Sequence, residues 1–154
     1  MNERKDDEGF AERIRGDYLL TDDPSRLSID VIHGWLSREA YWATGRTREA
    51  VATSIAHSHL YGVVHADGEM VACARMLTDQ VTFGWIGDVF VAEAHRGQGL
   101  ATWMVGEIVE HWSAQDLRRI MLATRDAHGV YARVGFHALA HPERMMEIDR
   151  RPAL

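Results

Sequence analysis

Arg96-Gly97-Gln98-Gly99-Leu100-Ala101 is the stretch on which the reading of this 154-residue chain turns. An apolar run over 85–91 precedes it and reads as a strand, ended by Ala92-Glu93-Ala94-His95. A helical pattern follows it. There Leu100, Ala101, Trp103, Met104, Val105, Ile108, Val109 and Trp112 form an apolar stripe, with Thr102, Gly106, Glu110 and Ser113 on the opposite row. Strand, Gly-x-Gly turn and helix start together make an anion-binding arrangement. The first-turn N–H groups of a helix lack partners within it, and the helix dipole places partial positive charge there. Gly97 and Gly99 remove side chains that would bar close backbone approach, and Arg96 adds a full positive charge. The plain alternative is a tight turn joining strand to helix, and spacing alone does not separate the two.

Nucleotide-binding patterns fit this stretch poorly. A P-loop needs Gly-x-x-x-x-Gly-Lys-Ser/Thr, and no such lysine follows. A dinucleotide fingerprint needs a third glycine where Thr102 stands, in a turn that opens a βαβ unit.

Working outward, Tyr18-Leu19-Leu20 reads as a short strand ended by Thr21-Asp22-Asp23-Pro24. Ser28 is placed to cap a helix through Ile32, Trp35 and Leu36, and a second helix is expected over 46–57. Runs over 60–65 and 70–77 flank Asp67-Gly68, a hairpin turn signal. Downstream, 119–124 is a buried-strand candidate. A short helix is expected from Ala127, capped by Asp126 and stopped by Gly135, with two last strands over 136–139 and 145–148. The order β-α-α-β-β-β-α-β-α-β-β specifies an α/β or α+β fold with a mixed sheet.

Composition sets the frame for any function. At 46% apolar and 26% charged residues the chain suits one soluble globular domain. We divide it into a polar leader, 1–16, a domain, 17–150, and a tail, 151–154. No run approaches the roughly 20 apolar residues of a membrane span, and the charged first residues lack the apolar segment of a secretory signal. One cysteine, Cys73, excludes an intramolecular disulfide, so the cytoplasm is the expected compartment. A net charge of −6 argues against a nucleic-acid surface and is compatible with a cationic substrate. Of nine histidines, His57 and His59 are two apart with no matching carboxylate cluster, and no metal is expected.

With the second motif the pattern becomes specific. The chain resembles the GCN5-related N-acetyltransferase (GNAT) superfamily, whose cofactor motif Arg/Gln-x-x-Gly-x-Gly/Ala is matched by Arg96 to Ala101 behind the strand Asp88-Val89-Phe90-Val91. Asp126-Ala127-His128-Gly129-Val130-Tyr131-Ala132-Arg133-Val134-Gly135-Phe136 resembles the family's second signature, a helix with Tyr followed by Gly-Phe. The resemblance covers roughly 17–150. It implies a mixed, mostly antiparallel sheet of six to seven strands flanked by about four helices, and transfer of an acetyl group from acetyl-CoA to a primary amine of a small molecule or peptide.

The resemblance also implies roles for single residues. The backbone of Val89, Phe90 and Val91 would pair with the pantetheine arm. Backbone N–H groups of Gly97, Gln98, Gly99, Leu100, Ala101 and Thr102 would hold the pyrophosphate beside Arg96. Thr124 stands where some members carry an asparagine that touches the cofactor. Tyr131 would protonate the departing thiolate, chemistry suited to a phenol because a thiol has a pKa near ~8.5; on the residues alone it reads as a core tyrosine. Asp88 is the first candidate for a base, with Glu93 and His128 as alternatives and a structural cap or pair as its plain reading. Tyr41-Trp42 are placed either to line the acceptor pocket or to pack on the sheet. A homodimer is open, through any tryptophans left exposed. The competing functional class is a non-catalytic acyl-CoA-binding or sensor module on the same fold.

Overall fold

The computed structural model describes residues 9–152. Six strands lie in sequence order across a single sheet: β1 (Arg13–Arg15), β2 (Tyr18–Thr21), β3 (His59–His65), β4 (Met70–Thr78), β5 (Gly84–Val91) and β6 (Ile120–Met121). Every neighbouring pair is antiparallel except β5 and β6, which run parallel. Four helices accompany them: α1 (Ile29–Arg38), α2 (Arg48–Ala56), α3 (Leu100–Ala114) and α4 (His128–Ala132). This is the mixed, mostly antiparallel α/β architecture read from the sequence.

The caps form where short polar side chains precede apolar periodicity. Ser28 Oγ accepts from Val31 N–H, and Thr47 Oγ1 accepts from Ala50 N–H. Two apolar layers sandwich the sheet. On one face α3 buries Leu100, Met104, Val105, Ile108 and Trp112 against Leu20, Val63, Met76 and Ile86. On the other, Ile32, Leu36 and Val51 of α1 and α2 pack on Cys73 and Phe90.

One irregularity organises the rest. Cys73 pairs with Phe90 and Arg75 pairs with Gly87, so Ala74 alone faces both Asp88 and Val89. This is a β-bulge with its extra residue in β5. Asp88 adopts φ +51°, a left-handed conformation costly for a residue with a side chain. The extra residue reverses the inward–outward alternation of β5. Ile86 therefore packs with the α3 layer, whereas Phe90 packs with α1 and α2 and stacks on Trp35 at 5.3 Å.

Several expectations are corrected. The stretch read as a leader, 1–16, contributes to the domain in its described part. Phe10 is buried edge-on to Tyr61, and β1 joins β2, with Arg13 ion-paired to Glu107 of α3. The strand expected over 119–124 is only two residues long. The two last strands, 136–139 and 145–148, do not form; the region holds one short 3-10 turn, Pro142–Arg144. So short a β6 offers no ladder long enough to template further strands, and Met146 and Ile148 are left exposed. Asp126 does not cap α4; Thr124 Oγ1 instead accepts from Ala127 N–H at 3.0 Å. Of the five tryptophans, Trp112 is buried and Trp35, Trp42, Trp85 and Trp103 are half-buried.

Candidate active site

β5 and β6 are paired only at Gly84 with Ile120 and Trp85 with Met121. Beyond Trp85 the two chains part, and a cavity of about 320 Å³ opens between Gly87–Val89 on one side and Thr124, Asp126 and Tyr131 on the other. Tyr41, Trp42, Arg46, Arg75 and Arg151 also line it. At the far end of β5 the chain passes through a short 3-10 turn into the glycine-rich turn and α3.

That turn has the geometry its sequence promised. Gly97 and Gly99 both adopt left-handed φ values, +77° and +74°. A Cβ on Gly97 would meet nothing and one on Gly99 would meet Arg15 only at ordinary contact distance, so backbone conformation is what demands glycine here. Gly99 is the N-cap and offers no capping side chain. The first bond from α3 back to its cap is Trp103 N–H to Gly99 O at 3.0 Å, which leaves the N–H groups of Leu100, Ala101 and Thr102 for an outside acceptor.

Other side chains at the turn are already engaged. Arg96 Nε donates to Val91 O at 2.9 Å, and its guanidinium lies 5.3 Å from the Phe90 ring centre. It ties the turn back onto β5 and keeps its terminal nitrogens for other acceptors. Gln98 Oε1 accepts from Tyr18 Oη at 3.2 Å, and its carbonyl accepts from Arg15 at 2.8 Å. Tyr18 Oη also lies 2.9 Å from His95 Nδ1. Arg15 and Tyr18 went unread because nothing local to β1 and β2 announces the turn they support.

Asp88 is the centre of the cavity floor. Its Oδ1 accepts from Trp42 Nε1 at 3.0 Å, and its Oδ2 accepts from Arg46 at 2.8 Å and Arg75 at 2.9 Å. Side-chain exposure is 6% for Asp88, 14% for Arg75 and 26% for Arg46. A carboxylate taking three donors, two of them cationic, is committed to an ion-pair network. Arg46 and Arg75 were missed from sequence, although Arg75 left a trace as the one charge within the apolar run over 70–77. Trp42 joins the network through its indole N–H, and Tyr41 Oη accepts from Arg125 N–H at 3.2 Å.

Tyr131 sits across the cavity on α4, half-buried, its ring edge-on to Phe136 at 6.0 Å. Burial, reinforced by Tyr41 and Asp126 nearby, pushes its phenol above the usual tyrosine value. A second cavity of about 430 Å³ adjoins Tyr131 on the side of Phe136 and Leu139. Thr124 shares both cavities, and its Oγ1 accepts from Ala127 N–H. Of the alternative bases, Glu93 is exposed in the 3-10 turn after β5, and His128 lines the second cavity; neither lines the one around Asp88. Cys73 is buried, its thiol pushed up by burial and by Asp88. Among the described residues no group of three or more His, Cys, Asp or Glu is placed to hold a metal ion, and no helix is long and apolar enough to cross a membrane.

Comparison with known proteins agrees with this geometry. The family described as Acetyltransferase (GNAT) family matches residues 29–136. A Gibberella zeae protein, itself assigned only provisionally as an acetyltransferase, is 32% identical over 133 residues, spanning 73% of this chain and 74% of its own. A crystal structure from Xanthomonas campestris pv. campestris, described as belonging to the GNAT family, superposes with TM-score 0.80 at 40% identity, over 86% of this chain and 92% of its own. N-acetylglutamate synthase from Neisseria gonorrhoeae, solved with coenzyme A and N-acetyl-glutamate, shares the fold at TM-score 0.67 and 17% identity, over 84% of this chain and 30% of its own.

Proposed function

The chain belongs to the acetyltransferase (GNAT) family, and from that premise we propose that it moves an acetyl group from acetyl-CoA to a primary amine by direct attack in a ternary complex. The observation that carries this reading is the left-handed Gly97/Gly99 turn opening α3, set at one end of a parted β5–β6 pair with Tyr131 across the gap. Bound acetyl-CoA would supply the activated thioester.

The residues fit that group. The N–H groups of Leu100, Ala101 and Thr102, with those of the turn and the charge of Arg96, suit a pyrophosphate. Between Ile86 and Val91 the side of β5 turned toward β6 has no ladder partner, so its backbone is placed to receive an extended arm as an added strand. Val89, Phe90 and Val91 are the proposed pairing positions, and Arg96 also holds the Val91 carbonyl. Thr124 accepts from Ala127 N–H and keeps its hydroxyl proton to donate toward the cofactor.

Tyr131 holds a proton at Oη, and its raised pKa keeps that proton in place across the neutral range. Asp88 serves as a positioning residue, its two oxygens holding Trp42, Arg46 and Arg75. The amine then loses its proton to solvent in the cavity.

Two measurements together test the reading: calorimetry with CoA, and thiol release from acetyl-CoA across a panel of amines. CoA binding with amine-dependent thiol release is expected. Tight CoA binding without turnover on any amine would favour the sensor module, and absence of CoA binding would overturn the reading outright.

A further inference from the structure

Asp88 is outnumbered. Arg46 and Arg75 both donate to the same oxygen, so this buried group carries one positive charge in excess. The other charged residues lining the cavity have their own partners: Asp126 pairs with Arg125, and Arg151 with Asp149. Arg75 spends a further nitrogen near Ser58 Oγ at 3.5 Å, whereas Arg46 bonds through NH1 alone. Arg46 is also the more exposed of the two and lines the cavity beside Trp42.

An uncompensated guanidinium in a partly dry wall is costly unless an anion completes it. Its planar fork suits a carboxylate, which it can hold bidentately. One surplus charge matches a monoanion, and a phosphomonoester would bring about two negative charges to it. We propose that the acceptor carries a carboxylate as well as its amine, received by Arg46 with Arg75 alongside, so that the substrates are amino acids or related amino-carboxylates. The inference rests on the acetyl-transfer reading for its reaction but not for its binding chemistry. It replaces the cationic acceptor that the net charge of −6 admitted: the overall charge is acidic, and the cavity is locally basic.

The test compares matched acceptors: an amino acid, its carboxamide, the corresponding decarboxylated amine and a phosphomonoester amine. The carboxylate form should exceed the carboxamide by roughly 10–10²-fold in kcat/KM, the worth of one hydrogen bond to a charged group. Arg46→Gln should bring that ratio near one, chiefly through KM. Arg46→Gln keeps Asp88 paired with Arg75, so its fold is expected to survive; a thermal melt confirms this. Equal or better use of the carboxamide, the amine or the phosphomonoester overturns the proposal. A second arm needs no turnover: binding of N-acetylated amino acids and their amides, measured by ligand-observed NMR with and without CoA. Arg46-dependent binding of the acids supports the proposal even if no amine is acetylated. Failure of the acids to bind sinks it, whatever the protein does with acetyl-CoA.

Discussion

Replacing Asp88 by Asn separates two roles for this residue that predict opposite patterns. The amide keeps the shape of the carboxylate and can still accept from Trp42, but it removes the only anion between Arg46 and Arg75, now 2.8 and 2.9 Å from the carboxylate. Taking away one partner of a buried ion pair costs about 3–5 kcal/mol, because the remaining charge stays buried. Arg46 is 26% exposed and can turn partly to water, so the lower end applies here. For a chain of this size about 3 kcal/mol corresponds to a fall of about 6–12 °C in Tm. Circular-dichroism melts of wild type, Asp88→Asn and the Asp88→Asn/Arg46→Gln pair measure it. The double variant should recover part of the loss, since one uncompensated cation is gone. Steady-state kinetics on the same three proteins complete the comparison. The reasoning is refuted if Asp88→Asn melts like wild type while kcat collapses. That pattern belongs to a general base whose charge the fold does not need.

Tyr131→Phe keeps the contact with Phe136 and removes only the hydroxyl, so kcat should fall by roughly 10²-fold or more with little change in Kd for CoA. Undiminished turnover in this variant would remove the acid from the mechanism. The same residue sets a pH dependence. Its phenol is raised by burial, so the folded state favours the neutral form. That contribution to stability is full below about pH 10, the unfolded value, and is lost as pH rises through the folded one. Urea melts between neutral and alkaline pH should show a decline that is smaller in Tyr131→Phe. Gly97→Ala and Gly99→Ala should each lose about 1–2 kcal/mol for forcing Cβ into a left-handed conformation, and should weaken CoA binding in calorimetry. Gly106→Ala, inside α3 with open space around its Cβ, should instead gain about 0.5–1 kcal/mol in the same melts. Equal losses at all three glycines would mean that bulk and not backbone conformation governs the turn.

What the sequence disclosed was local. Caps such as Ser28, the Asp67-Gly68 hairpin and the paired glycines before α3 each act within a few residues, and each is found where its pattern stands. The Gly-x-Gly turn and the Tyr-x-x-x-Gly-Phe helix were legible for the same reason, and together they identified the family. Apart from the Asp126 cap, which Thr124 displaces, the failures are non-local. Phe10 and β1 looked like a charged leader because their apolar partners, Tyr61 and β2, lie elsewhere in the chain. The last strands were credible as patterns, yet strand formation depends on an available edge, and β6 provides only two residues of it. Arg46 and Arg75 meet at Asp88 from 42 and 13 residues away, and no periodicity records that meeting.

The bulge links these observations. An L-residue at positive φ in mid-strand costs on the order of 1–3 kcal/mol and persists only where its surroundings over-determine it. At Asp88 three donors do so, one from the chain after α1, one from two residues before α2 and one from β4. The contortion has two consequences. It turns Phe90 toward α1 and α2, reversing the alternation that Ile86 follows, and it lies in the part of β5 beyond its ladder with β6, which ends at Trp85. The carboxylate that gathers the arginines is thus carried by the residue whose backbone distorts β5 where the cavity opens. The proposed role, shaping the cleft and presenting cations to an acceptor, draws on three features of Asp88: strain in the backbone, donors on both oxygens, and one guanidinium more than it can neutralise.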